Sequence, residues 1–353
     1  MAFKPTSLRD LIAHGFDDII DVRSPAEFAE DHVTGAISLP VLDNEERARV
    51  GTIYKQQSPF LGRKIGAALV FKNAARHIEG PLAQHEGGWR PLVYCWRGGQ
   101  RSGSFAWMLS QIGWRSEVLD GGYKTFRRLV TSMLYDTPLE YHLIMLGGYT
   151  GTAKTDLLAR LAARGVQILD LEKLAGHRGS LLGETKEGQP SQKMFETRLA
   201  MALSQLDPAR PVVVEAESSK IGRILLPPSL WAAMCSAPWI DISAPIEARA
   251  RYLVRAYDDI LSDTDRLTEK LNVVRRHRGH AIVDGWMALI AEGDKVGLTR
   301  ALMQEHYDPS YNTSMKSVER EFMAQISVPD LSESGQEDAA DQIAEIVAQA
   351  NSI

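Results

Sequence analysis

The chain has 353 residues, 44% hydrophobic and 24% charged, with a net charge of −5; it is long enough for two domains and its balance is that of a soluble globular protein, not a disordered or fibrous one. No run reaches the ~18 uninterrupted apolar residues of a membrane span, and Met1-Ala2-Phe3-Lys4-Pro5 lacks a signal-peptide core, so a cytoplasmic protein without membrane contact is expected. Two cysteines, Cys95 and Cys235, cannot build a disulfide framework or a zinc site by themselves, and an acidic chain has no global positive field for nucleic acid.

In chain order, residues 17–23 read as a buried strand, and Ser24-Pro25-Ala26-Glu27-Phe28 starts a helix with serine at the cap and proline in the first turn. Further short strands are expected at 35–40, 91–94 and 116–119. Strands alternating with helices predict an α/β fold with a doubly wound, mostly parallel sheet. A long insert, 41–88, separates the second strand from the third and carries the apolar, helix-compatible run Gly66-Ala67-Ala68-Leu69-Val70. An excursion of that length needs its own structure or its own job.

The third strand delivers Cys95-Trp96-Arg97-Gly98-Gly99-Gln100-Arg101. A free thiol titrates near pH ~8.5, so it is a good nucleophile at neutral pH only where amides, guanidinium groups or a helix N-terminus favour the anion. Here the loop supplies all three, running into an apolar helix through Ser104-Phe105-Ala106-Trp107. Cys95, Arg97 and Arg101 are the candidate catalytic residues, with Trp96, Gly98, Gly99 and Gln100 completing an anion-binding loop. The carboxyl end of a parallel strand is also where ligands sit in such sheets. Cys235, in Trp231-Ala232-Ala233-Met234-Cys235, reads as core.

A junction is expected at Asp136-Thr137-Pro138, where a second pattern begins. An apolar strand at 141–146 runs into Gly147-Gly148-Tyr149-Thr150-Gly151-Thr152-Ala153-Lys154-Thr155 and a helix over 156–163. From Gly148 the frame is that of a phosphate loop, with Ala153 in place of the last glycine. Gly148, Gly151, Lys154 and Thr155 are therefore candidate diphosphate-binding residues, and Mg²⁺ is the metal that Thr155 with Asp170 or Glu215, at the ends of strands 166–169 and 211–217, could hold. No tightly bound cofactor is expected. Beyond Pro245 the chain reads as helical, with arginines at 249, 251 and 255 and again at 275, 276 and 278 as candidate RNA contacts, and a core stripe through Trp286. From Pro329 an acidic run reads as a linker before a short helix over 340–350. The expected organisation is a first domain over 5–136, a phosphate-loop domain with its arginine-rich helices over 139–325, and a linker with a short helix over 326–353, in a monomer.

The cysteine loop, together with Asp21-Val22-Arg23-Ser24-Pro25-Ala26-Glu27-Phe28 and Asp31-His32-Val33-Thr34-Gly35-Ala36, resembles a rhodanese domain. That domain followed by a phosphate loop, with the insert Asn44-Glu45-Glu46-Arg47 to Lys55-Gln56-Gln57-Ser58-Pro59-Phe60 and the later Glu217-Ser218-Ser219-Lys220-Ile221-Gly222-Arg223, is similar to the bacterial tRNA 2-selenouridine synthases, over about residues 5 to 325. The resemblance implies a transferase that acts on the anticodon arm of tRNA at wobble uridine 34. It implies geranylation of the 2-thiouridine sulfur from geranyl diphosphate, then replacement by selenium from selenophosphate, with Cys95 matching the selenium-carrying cysteine. On that reading the phosphate loop holds geranyl diphosphate and the Gly66 to Val70 run lines a prenyl groove or packs as a core helix. The competing reading is a rhodanese-type sulfurtransferase with a nucleotide-binding regulatory domain, which keeps Cys95 but needs no RNA.

Overall fold

The computed structural model describes residues 2–315 and 321–350. These fall into two compact units, Met1–Thr137 with Pro190–Ser204 and Pro138–Gln189 with Gln205–Ile353.

The first unit is built on strands β1 (Ala2–Phe3), β2 (Asp18–Asp21), β3 (Ile37–Ser38), β4 (Pro91–Tyr94) and β5 (Glu117–Leu119). They form one parallel sheet in the order β1-β5-β4-β2-β3, with Ile19 opposite Leu92 and Ile20 opposite Val93. All four residues of the central strand β4 are buried, the near-continuous apolar run expected where helices cover both faces of a parallel sheet. Ile20, Val22, Val93, Phe105 and Leu109 are the heart of the core. The helix Pro25–Glu30 opens with the capping box that its sequence signals, Ser24 paired with Glu27.

The insert folds as two helices, Asn44–Gln56 and Pro59–Glu79. Each has a strong start: Asp43 accepts from the Glu46 amide at 2.7 Å, and Ser58 accepts from the Leu61 amide at 3.2 Å with Pro59 in the first turn. Gly62 and Gly66 let the helices meet, since a Cβ at Gly62 would lie 2.8 Å from the Tyr54 Cα and one at Gly66 3.1 Å from Val50. Buried Asn73 ties the second helix down, donating to the Val41 carbonyl at 3.1 Å and to Glu46 at 2.7 Å. A further helix, Gln192–Ser204, packs in this unit although it lies far along the chain; Glu196 pairs with Arg127 and accepts from Tyr135.

The second unit carries β6 (Leu143–Gly148), β7 (Gln167–Leu169), β8 (Val212–Glu215), the hairpin β9 (Lys220–Ile221) and β10 (Ile224–Leu225), β11 (Trp239–Ser243) and β12 (Phe322–Ser327). Its main sheet is again parallel and five-stranded, in the order β12-β11-β6-β8-β7. Residues from Ile246 to Met315 are helical, around Trp286 and its apolar neighbours. The tail departs from the linker expected of it. Its last helix spans Glu333–Ala350, longer than the short helix over 340–350, and Ala339, Ala340, Ile343 and Val347 are buried in the core against Leu157 and Leu161. The acidic run suits a helix start, where Glu333 meets the positive end of the dipole. No helix among the described residues is long and apolar enough to cross a membrane.

Candidate active sites

Cys95 follows the central strand of the first sheet and is 3% exposed. Its loop is fixed from two sides. Gly99 caps the helix Gln100–Ile112, placing the helix N-terminus by the thiol. The turn at Gly121-Gly122 returns the chain so that Tyr123 and Lys124 amides donate to the Cys95 and Trp96 carbonyls, at 2.8 and 3.1 Å. Gly122, with φ +58°, sits so close that a Cβ there would collide with the Cys95 carbonyl oxygen.

The sulfur accepts a hydrogen bond from the Ser102 hydroxyl at 3.1 Å. Burial by itself pushes the thiol up; the Ser102 hydroxyl and amide, the Arg101 charge and the Arg97 amide pull it down, and the net direction is below the ordinary cysteine value. Arg101 is held by Glu27 at 2.9 Å. Burial pushes the Glu27 carboxyl up, but Arg101 more than offsets this and leaves it below its usual range. Arg97 is exposed at the rim, and Trp96 stacks on Tyr123 with ring centroids 5.2 Å apart.

Beneath the loop lies a buried brace absent from the sequence reading. Arg23 grips both Asp21 oxygens at 2.7 to 3.1 Å, donates to the Asp31 carbonyl and lies 4.0 Å from the Tyr123 ring centre; the Tyr123 hydroxyl donates to Asp31 at 2.8 Å. A buried guanidinium is tolerated because its donors and charge are matched on the spot. The loop opens onto a cavity of about 690 Å³ between it and the helical insert. Leu42, Val50, Tyr54, Ala67 and Val70 give it apolar walls, while Arg47, Lys55, Arg63, Arg97 and Arg101 supply cations. The Gly66 to Val70 run thus faces this cavity at Gly66, Ala67 and Val70 instead of serving purely as core.

The second candidate site follows β6, the central strand of the other sheet. Ala153 adopts φ +59° and ψ 28°, the one non-glycine residue at positive φ among those described. The loop therefore reaches the left-handed conformation of the missing glycine at a cost of about 1 to 2 kcal/mol. Lys154 Nζ folds back on the Gly148 and Tyr149 carbonyls at 2.8 and 3.4 Å. A cavity of about 490 Å³ exposes residues Thr150 to Asp156 together with Glu172, Arg178, Glu217, Tyr252 and Tyr257.

Of the carboxylates singled out in the sequence, Asp170 caps the helix Leu171–Ala175 through the Lys173 amide at 2.7 Å. Glu215 is buried and accepts from the Glu172 amide at 2.6 Å. The acids on the cavity are instead Asp156, Glu172 and Glu217; Glu172 accepts from Thr155 Oγ1 at 3.1 Å. Burial and then the Glu217 charge push Glu172 up to about 8. A Glu two residues past a strand-end Asp gave the only sequence signal for it.

The arginine clusters divide. Arg249 corrects the expectation of an RNA contact: it is 4% exposed, bound to Asp308 at 2.6 Å and to the Thr150 carbonyl at 2.8 Å, and so braces the phosphate loop. Arg275 is spent on Asp284 at 2.5 Å. Arg278 donates to His306 Nδ1 at 2.9 Å; burial and then the Arg278 charge hold His306 down to about 4, which keeps it a neutral acceptor. Arg255 donates to the Leu331 carbonyl, and Arg251 and Arg276 are exposed. Cys235, expected as core, is only half-buried, on the helix Pro228–Ser236.

Family profiles match both units. The tRNA 2-selenouridine synthase AAA domain matches residues 141–283 and the rhodanese-like domain residues 4–129. Among curated relatives, the tRNA 2-selenouridine synthase of Hahella chejuensis is 32% identical over 83% of this chain and 84% of its own. That of Aeromonas salmonicida is 38% identical over 70% and 67%, and that of Verminephrobacter eiseniae 32% identical over 86% and 90%.

Proposed function

The chain belongs to the tRNA 2-selenouridine synthase family, and from that premise we propose that it is a tRNA-modifying transferase that converts wobble 2-thiouridine to 2-selenouridine in two transfers. In the first, the thiouridine sulfur attacks C1 of geranyl diphosphate, forming a C–S bond as diphosphate leaves. In the second, the selenium of selenophosphate, received at the Cys95 loop, attacks C2 of the base and forms a C–Se bond as geranylthiolate leaves, and water then cleaves the Se–P bond to release phosphate.

The observation that carries this reading is the pairing, at one cavity, of a buried thiol biased toward its anion with apolar walls and five cations. The cations suit an anionic selenium donor, and a Ser102 hydroxyl already donating to sulfur suits a larger chalcogen anion. Walls at Val50, Ala67 and Val70 suit the prenyl chain of the geranylated base. The phosphate loop would hold the diphosphate, through the amides of residues 150–155 and Lys154. Thr155, Glu172 and Glu217 offer the hard oxygen donors that Mg²⁺ takes, and the ion when bound would supply positive charge near the departing diphosphate.

The test is to incubate the protein with 2-thiouridine-containing tRNA, geranyl diphosphate and selenophosphate and analyse the nucleosides by mass spectrometry. Geranylated and selenylated uridine are expected in sequence; the absence of both, with sulfur transfer to a small thiol acceptor in their place, overturns the proposal for the sulfurtransferase reading.

A further inference from the structure

From Arg47 to Ile78 the chain carries seven Lys or Arg residues (47, 49, 55, 63, 64, 72 and 76) and not one Asp or Glu, in a protein whose net charge is −5. That stretch is most of the helical hairpin, whose two ends add Glu45, Glu46 and Glu79 and leave it net positive, and all seven cations are exposed or half-exposed. The one carboxylate within ion-pair reach of any of them, among the described residues, is Glu27, 3.9 Å from Arg47. Repulsion among so many uncompensated cations is a standing cost to the fold, which a polyanion would relieve.

The same hairpin exposes aromatic side chains. Phe60 is 72% exposed, the highest value among the exposed large hydrophobic residues described, and Tyr54 stands at 47%. Phe60 is not on a loose tip: Ser58 caps its helix, Pro59 fixes the turn, and Arg63 Nε donates back to the Pro59 carbonyl at 3.3 Å. A rigid, solvated ring flanked by Lys55, Arg63 and Lys64 forgoes the burial its type favours. Cations that follow a backbone and aromatic faces on which bases stack are the two parts of a surface for single-stranded nucleic acid. Tyr54, Lys55 and Arg63 also line the Cys95 cavity, so the surface runs into the thiol site.

We propose that the helical hairpin, and not the arginine-rich helices of the second unit, is the docking surface for an unpaired RNA loop, with a base stacked on Phe60. Phosphates lie along Lys55, Arg63, Lys64 and Lys72, and a base adjoining the stacked one enters the Cys95 cavity. This rests on the tRNA reading above and assigns the surface that reading lacks.

The test uses the full chain and a 17-nucleotide anticodon stem-loop RNA in fluorescence anisotropy titrations across a salt series. Phe60→Ala is expected to weaken binding about 10-fold with an unchanged salt slope, and Phe60→Trp to restore it. Lys64→Glu with Lys72→Glu is expected to weaken binding and make the slope of log K against log salt shallower by about 1.4 or more. Thermal midpoints of the Phe60 variants should match the parent chain, and that of the charge-reversed variant should not fall below it. If the parent binds RNA and the hairpin variants bind equally well, the hairpin proposal is overturned while the tRNA reading stands. If the parent fails to bind RNA, both fall. Binding to vesicles of anionic phosphatidylglycerol in preference to RNA would identify the hairpin as a membrane-facing surface and overturn the proposal as well.

Discussion

The two units solve one placement problem with different materials. Each has a five-stranded parallel sheet, and in each the functional loop leaves the middle strand, β4 or β6, and runs into a helix. The loop after β4 offers side chains: one sulfur, a hydroxyl that donates to it, and a guanidinium held by a carboxylate. The loop after β6 offers backbone amides and Lys154, and its strain sits in Ala153, a residue with no chemistry of its own. The strand orders differ, with the middle strand fourth in its own unit in one sheet and first in the other. The shared parallel architecture therefore places the site at the end of the middle strand, while the loop decides whether the chemistry rests on single side chains or on a conformation.

The largest expected effect separates the two loops. Cys95→Ser should abolish selenation, a loss of about 10³-fold or more, while geranylation of thiolated tRNA stays within a few-fold; nucleoside mass spectrometry reads both. Loss of both products in a folded variant would mean that the loops are not chemically independent. The converse variant, Lys154→Ala, should cost geranylation about 10² to 10³-fold through lost charge stabilisation and spare selenation of tRNA that is already geranylated. Unchanged saturation with geranyl diphosphate would contradict the role of that lysine.

A smaller effect is expected from Ser102→Ala. It removes the donor to sulfur, so the pH at which Cys95 becomes alkylatable should rise, with less thiolate at neutral pH and no change in the diphosphate step. The smallest is Ala153→Gly, which relieves the positive φ at the cost of a more flexible unfolded chain. A net stabilisation of about 0.5 to 1 kcal/mol in urea unfolding is expected, and a destabilised variant would contradict the strain assigned to this loop.

The sequence was most legible where local chemistry and tertiary role coincide. Pro91–Tyr94, an apolar run bounded by turns, appears as written, and the Ser24 cap forms with its Glu27 partner. Cys95, Arg97 and Arg101 are placed together because seven consecutive residues carry them. Legibility failed where burial depends on distant segments. Strand β12 has mostly exposed residues and pairs only with β11, so alternation gave no signal. The helix Glu333–Ala350 begins inside a charged run whose apolar side shows only from Ala339 onward. Arg249 looks like any surface arginine until Asp308, 59 residues later, is seen to neutralise it. The brace of Asp21, Arg23, Asp31 and Tyr123 spans about a hundred residues of sequence, and nothing local announces it. The cationic run of the hairpin is a charge pattern visible in the sequence, whereas the denser arginine clusters do not show locally that Arg249, Arg275 and Arg278 are already engaged.

The central claim is that the fold biases the Cys95 thiol toward its anion, and the chain carries its own reference. Burial pushes the Cys235 thiol up from the ordinary value, whereas the Cys95 environment brings its thiol down. Alkylation of the intact protein with iodoacetamide across a pH series, with each cysteine followed by peptide mass spectrometry, should give Cys95 a midpoint below that of Cys235 and below a free cysteine. A Cys95 midpoint at or above that of Cys235 would contradict the account.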